Sequence, residues 1–186
     1  FRYLKDTVLP NLERSIKDRD LLIWSAGCSS GEEPYTLAFI LNDYFKDKNW
    51  WDTKILATDI SEKALETARR GIYDSERLAD LPSSWRLKYF KKLDESKHEI
   101  TDGIKKQVIF ADLNLINDSF SFRKSFHVIL CRNVMIYFDQ DKKRELINRF
   151  YEITAPDGYL FIGHTESIGT RESRYKYVMP ALYRKI

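Results

Sequence analysis

The sequence predicts an α/β domain, a mostly parallel sheet joined by crossover helices. Two observations carry this. Apolar runs of strand length alternate along the chain with segments whose apolar residues recur at helical spacing. The 186 residues, 43% hydrophobic and 14% aromatic, suffice to bury one sizeable core, so a single domain over 1–186 is expected.

Residues 21–25 read as the first strand. Residues 32–46 form a helix with Leu37, Ile40, Leu41 and Tyr44 on one face. Residues 54–58 are a second strand and 61–70 a second helix, capped by Ser61 and stopped by Gly71. The rhythm changes over 74–107: short helical pieces around 81–90 give way to a charged stretch with a turn signal at Asp102-Gly103, read as an insertion carrying a small antiparallel hairpin. Residues 107–111 resume the sheet. Residues 126–130, a helix over 140–154 and a strand over 159–163, entered through Pro156-Asp157-Gly158, follow. Residues 175–178 and 182–184 close the chain as an antiparallel pair.

Composition removes several classes. The longest apolar runs fall far short of the roughly 20 residues a membrane span needs. No signal-peptide pattern opens the chain, which begins without Met and reads as a fragment of a longer protein. Cys28 and Cys131 have no CxxC or Cys/His neighbour, and His98, His127 and His164 lack ligand spacing, so no metal is expected and a reducing cytoplasm is the simpler setting. A net charge of +3 gives no reason to expect nucleic acid.

In open α/β sheets ligands bind outside the carboxyl ends of the strands. The loop after the first strand, SAGCSSGEEP, permits a tight turn and close backbone approach at its glycines, and Ser30 and Glu33 have capping-box spacing with Pro34 in the first helical turn. It has neither GxGxxG nor GxxxxGK, and its paired carboxylates suit an ammonium or ribose hydroxyls better than a phosphate. They equally favour the helix dipole. Asp59 ends the second strand, where it suits a ribose or helps cap the next helix. Residues 111–115, ADLNL, suit the edge and faces of an adenine, or form an ordinary loop. After the fourth strand Arg132-Asn133 are polar at a strand end, whereas Val134, Met135, Ile136 and Phe138 read as core.

SAGCSSGEEPYTLA, ATDIS, the DLNL loop, VILCRNVMIYFD and GYLFIGHTES, in this order and spacing, resemble the chemoreceptor glutamate O-methyltransferases of bacterial chemotaxis over nearly the whole chain. The resemblance implies a Rossmann-like S-adenosylmethionine-dependent methyltransferase fold with an antiparallel last strand and a small inserted antiparallel β-subdomain over 74–107. It implies S-adenosylmethionine as cofactor and S-adenosylhomocysteine as product. Ala26, Gly27, Glu33, Asp59, Asn114, Leu115, Arg132 and Asn133, with Cys28 in the same loop, are implied to line the pocket. Arg2 resembles the arginine of the family's Phe-Phe-Arg segment, which reaches back over the cofactor.

The family's N-terminal helical domain is not among these residues. The implied reaction is methylation of receptor glutamates to 5-O-methyl esters during sensory adaptation, with Arg2, Arg132 and Tyr137 as candidate orienting groups. Arg132 as an internal ion-pair partner and Tyr137 as a core aromatic are the competing readings. The implied partner is the cytoplasmic domain of methyl-accepting receptors, with a receptor tail peptide possible at the β-subdomain. A monomer without membrane insertion is expected. A cofactor-binding sensor without transfer, or a methyltransferase for another acceptor, remain the alternatives.

Overall fold

The computed structural model describes residues 1–169 and 173–186. A π-helical turn, Leu4–Val8, runs into α1 (Leu9–Ser15), then β1 (Asp20–Ala26), α2 (Glu32–Tyr44), β2 (Asp52–Asp59) and α3 (Glu62–Arg70). Next come β3 (Ile72–Asp74), α4 (Ser83–Tyr89), β4 (Phe90–Lys92), β5 (Lys97–Ile100), α5 (Asp102–Lys105) and β6 (Val108–Asp112). The chain finishes with β7 (Phe126–Cys131), α6 (Gln140–Ile153), β8 (Thr154–Ile162), β9 (Lys176–Met179) and β10 (Leu182–Arg184).

The main sheet has the order β6-β2-β1-β7-β8-β10-β9. β1 pairs in parallel with β2 and β7, β2 with β6, and β7 with β8, while β10 runs antiparallel to both β8 and β9. Chain order reverses at β1, which puts the crevice of an open α/β sheet between the loops after β1 and β7.

Alternation along the strands divides the interior into two cores. Leu21 and Ile23 of β1 with Val128 and Leu130 of β7 face Leu9, Leu12, Leu37, Leu41 and Leu65. Trp24 and Ala26 with Ile129 and Cys131 face Leu146, Ile147 and Phe150 of α6. Each such fully buried Leu, Ile or Phe contributes about 1.5–3 kcal/mol relative to exposure. Trp24 is the largest of them, and its indole N–H donates to Thr58 Oγ1 at 2.9 Å, so its polar atom is paired and locks β1 to β2.

The inserted segment differs in detail from the sequence reading. It forms a three-stranded antiparallel sheet, β3-β5-β4, because Ile72–Asp74 also pairs with β5. Its reversal lies at Asp94, whose Oδ1 accepts from the amides of Ser96 and Lys97 at 2.7 and 2.9 Å. Asp102-Gly103 is not a turn but the start of α5. Asp43 at the end of α2 holds α4 in place by accepting from the Trp85 indole, Lys88 and Tyr89 at 2.7, 2.7 and 2.6 Å. Burial raises the Asp43 pKa, and these three donors outweigh it, leaving the carboxyl below its ordinary range.

Two more expectations change. The strand read as 159–163 begins at Thr154, because Thr154 pairs with Phe126 and the register then shifts, absorbing Pro156-Asp157-Gly158 with Asp157 at φ 62°. The Ser30/Glu33 capping box does not form. Gly31, at φ 95°, takes the cap position of α2, while Glu33 turns to Ser25 and Arg132.

His127 supplies a pH-dependent contribution. Its Nδ1 accepts from the Leu22 amide at 3.1 Å, continuing the β1–β7 contact below their ladder, and burial pushes its pKa below the ordinary 6.5. The unfolded chain therefore takes up a proton that the folded one resists, so this contribution is present above pH 6.5 and is lost as pH falls toward the depressed value. Melting curves between pH 7.5 and 5.5 are expected to show a steeper loss for the wild type than for His127→Gln. Equal slopes would remove His127 from this role.

Candidate functional site

Three residues in the turn after β1 take positive φ: Gly27 at 85°, Ser29 at 49° and Gly31 at 95°. The Gly27 and Cys28 amides both donate to the Thr58 carbonyl at 2.8 and 2.9 Å, binding this turn to the end of β2. A β-carbon on Gly27 would collide with Val134 Cγ2, so glycine is required by both conformation and space. Asp59 spans the two loops: Oδ2 accepts from the Ser29 amide at 2.8 Å and Oδ1 from the Ser61 amide at 2.9 Å. Cap duty on α3 falls to Ser61, which accepts from Ala64.

These loops, with those after β6 and β7, enclose a cavity of about 740 Å³. Gly27, Asp59, Asn114, Leu115, Arg132, Asn133 and Tyr137 line it, joined by Ser29, Ile60, Leu113, Ile116, Asn117, Val134, Phe138 and Lys142. The loop after β6 is braced from within, Asn114 Oδ1 accepting from the amides of Ile116 and Asn117 at 2.9 and 3.1 Å. It is braced from outside by Arg149 of α6, which donates to the carbonyls of Leu115, Ile116 and Asp118.

A second cavity of about 520 Å³ lies over the ends of β7 and β8 and the β9–β10 turn, covered by the N-terminal turn. Arg2, Thr7, Phe161, Ile162, His164 and Met179 are among its walls. Arg132 lines both cavities. Its NH1 is 3.0 Å from Glu33 Oε2, Glu33 Oε1 accepts from Ser25 Oγ at 2.9 Å, and the guanidinium carbon sits 5.5 Å from the centre of the Phe1 ring.

The structure thus gathers most residues singled out in the sequence around one cavity and separates others. Arg2 belongs to the second cavity. Glu33 stands behind Arg132 as its ion-pair partner and lines neither. Ala26 and Cys28 are buried in the two cores; burial first, and Asp59 second, push the Cys28 thiol up to about 12, so it stays protonated. Tyr137 is 81% exposed at the rim rather than in the core; Val134 and Phe138, read as core, do pack against it and also line the cavity, whereas Ile136, read likewise, is half exposed. The sequence reading passed over Ile60, 67% exposed beside Asp59; an apolar residue directly after a strand-end carboxylate was its signal.

The chemistry of this cavity fits S-adenosylmethionine. Each Asp59 oxygen has one amide partner and retains a lone pair for ribose hydroxyls. Ile60, Leu113, Leu115 and Ile116 offer apolar faces to a purine, with Asn114 and Asn117 at its edge. Among the described residues, no cluster of three or more His, Cys, Asp or Glu could hold a metal ion.

Sheet order, the glycine turn after β1 and the carboxylate ending β2 define an S-adenosylmethionine-dependent methyltransferase fold. The chain belongs to the family described as CheR methyltransferase, SAM binding domain, whose model matches residues 1–183. It is 43% identical over 189 residues to the chemotaxis protein methyltransferase of Borreliella burgdorferi, covering 100% of this chain and 66% of that protein. It is 37% identical over 183 residues to chemotaxis protein methyltransferase 1 of Pseudomonas aeruginosa, covering 96% of this chain and 66% of that protein. The chain therefore spans just under two thirds of these relatives. Among solved structures, the glycopeptide N-methyltransferase MtfA complexed with sinefungin is similar at TM-score 0.48 and 12% identity, over 85% of this chain and 48% of that one.

Replacing Asp59 tests the cavity directly. Asp59→Ala is expected to weaken S-adenosylhomocysteine binding by about 1–3 kcal/mol, the range for a lost charge-assisted hydrogen bond, and Asp59→Asn by less. Calorimetric affinities unchanged in both variants would leave Asp59 only its role of joining the two loops.

Proposed function

We propose that this chain transfers a methyl group from S-adenosylmethionine to glutamate side chains of chemotaxis receptors, giving glutamate 5-O-methyl ester and S-adenosylhomocysteine. The observation that carries the reading is Arg132, a guanidinium shared by a nucleoside-sized cavity and a neighbouring one that also holds Arg2. Two guanidinium groups against the single carboxylate of Asp6, in a second cavity whose other walls are largely apolar, leave an excess of positive charge that suits a carboxylate acceptor better than an amine. Membership in the family, and relatives named chemotaxis protein methyltransferases, support a receptor as the carrier of that carboxylate.

In this reading Gly27, Asp59, Asn114, Leu115 and Asn133 hold the cofactor, which when bound supplies an electrophilic methyl group on a sulfonium. Glutamate, with a pKa of about 4.3, is ionised at neutral pH, so the chain needs no strong general base. Its residues instead orient and desolvate. Arg132, fixed by Glu33, and Arg2 direct the acceptor oxygen, and Phe161, Ile162 and Met179 exclude water around it. Tyr137, at the rim of the first cavity, is the third orienting group.

The same reading makes the cytoplasmic domains of methyl-accepting receptors the partner, and the cytoplasm the compartment of a monomeric enzyme. No described helix is long and apolar enough to cross a membrane. A receptor tail peptide, where present, would meet the inserted sheet, whose outer strands are β3 and β4.

Incubation with methyl-labelled S-adenosylmethionine and receptor cytoplasmic fragments tests the reaction, with base-labile label on glutamate as the expected product. Tight cofactor binding with no transfer to any fragment would favour a sensor, and base-stable label another acceptor.

Arg132 gives the residue-level prediction. Arg132→Lys keeps the charge and loses the planar fork, so transfer is expected to fall at least tenfold, about 1.4 kcal/mol in the barrier, before melting temperature moves appreciably. Arg132→Ala leaves Glu33 with Ser25 alone and is expected to cost roughly 1–3 kcal/mol of stability as well. Wild-type transfer by a folded Arg132→Lys protein would exclude an orienting role for Arg132.

A further inference from the structure

The wall of the first cavity formed by Asn133, Val134 and Tyr137 is irregular backbone whose own bonds, from the Tyr137 and Phe138 amides to the Val134 and Met135 carbonyls at 3.3 and 3.1 Å, leave the Asn133 and Ile136 amides to another partner. Asn133 is at φ 59°, a left-handed conformation that asparagine tolerates better than most residues with a β-carbon, and the short 3-10 turn Met135–Tyr137 follows it. One side chain from the segment after β8 accepts from these amides. Glu166, just past the end of β8, accepts the Gly163 amide at 2.6 Å and the Asn133 amide at 3.3 Å on Oε2, and the Ile136 amide at 3.1 Å on Oε1.

The fit around this carboxylate is close. A β-carbon on Gly163 would lie 2.6 Å from Asn133 Oδ1 and 2.7 Å from Glu166 Oε2, so glycine at 163 is what allows strand end, carboxylate and loop to meet. Glu166 lines neither cavity. Yet its amide partners Asn133 and Ile136 bracket Val134 in the wall of the first, and Ile162 and His164, on either side of its partner Gly163, line the second. The carboxylate therefore sits in the partition between the two.

We propose that Glu166 is a positioning residue for cofactor binding: by gathering three backbone amides it fixes the loop after β7 in the conformation that completes the first cavity. A neutral amide in its place keeps one acceptor oxygen but turns an N–H₂ donor toward either the Ile136 amide or the Asn133 and Gly163 amides, so Glu166→Gln keeps the volume and loses one side of the clamp. The proposal rests on the first cavity being the S-adenosylmethionine site, and its test separates the two claims.

Amide exchange of the ligand-free protein reads the clamp alone. In Glu166→Gln the amides on at least one side of the clamp, Ile136 or the Asn133 and Gly163 pair, are expected to exchange at least tenfold faster, while those of β1 and β2 stay unchanged. Calorimetry with S-adenosylhomocysteine, at a temperature where circular dichroism shows both proteins folded, reads the consequence: an affinity lower by about tenfold, comparable to one lost charge-assisted hydrogen bond. Gly163→Ala, which leaves the carboxylate in place but crowds it, is expected to lower affinity likewise and decides the matter should Glu166→Gln not fold. Faster exchange with wild-type affinity in the folded variant overturns the proposal, as does unchanged exchange. A wild-type protein that binds no S-adenosylhomocysteine overturns both the proposal and the reading of the cavity, whereas wild-type binding with an unaffected variant removes the proposal alone.

Discussion

The loops after β1 and β7 meet at Gly27 with no space between them. A β-carbon there would lie 2.3 Å from Val134 Cγ2, and the backbone at φ 85° is one that only glycine adopts without cost. Two of the loops that shape the first cavity depend on this approach. On its other side the same turn donates the Gly27 and Cys28 amides to the Thr58 carbonyl and the Ser29 amide to Asp59. The close approach also brings the residues after β7 over the crevice where chain order reverses. A larger residue at 27 would have to displace either the loop or the strand end, and both are anchored by buried neighbours such as Trp24 and Cys131.

Beneath that contact lies the Arg132–Glu33 pair, at 33% and 18% side-chain exposure. At that depth neither charge is fully desolvated, so the pair adds less to stability than a buried one would and avoids most of its desolvation penalty. Ser25 Oγ satisfies the second Glu33 oxygen. The geometry of the guanidinium is therefore set by a carboxylate that itself has one orientation, as expected of a group that positions rather than merely stabilises.

What the sequence revealed was local. Gly27, Asp59, Asn114 and Arg132 each lie at a strand's carboxyl end or within two residues of it, and in a parallel sheet every such position lies on the same edge, so finding the strands placed the residues together. Interactions between loops distant in the chain could not be read this way. Glu166 and Arg149 act on the backbone of segments about thirty residues earlier, and a backbone amide or carbonyl leaves no trace in residue identity. Arg2 followed the same logic, since only the fold of the N-terminal turn puts it over β8 rather than β1. Ser30 and Glu33 matched a cap pattern that failed because Gly31 took the cap position and a distant arginine took the glutamate. Asp102-Gly103 matched a turn that the Asp94 carboxylate supplied elsewhere.

Because a single guanidinium forms part of both cavities, the two cannot be thermodynamically independent if either occupant displaces it. Linkage then works in both directions and by the same factor: whatever the contents of one cavity do to affinity in the other is returned in full. A shift of Arg132 toward the N-terminal side would loosen its hold on Glu33 and lower affinity on the β2 side, and the departure of a ligand from the β2 side would in turn tighten the hold on the other. Through the Glu33–Arg132 pair, the order of filling and emptying becomes a property of one side chain.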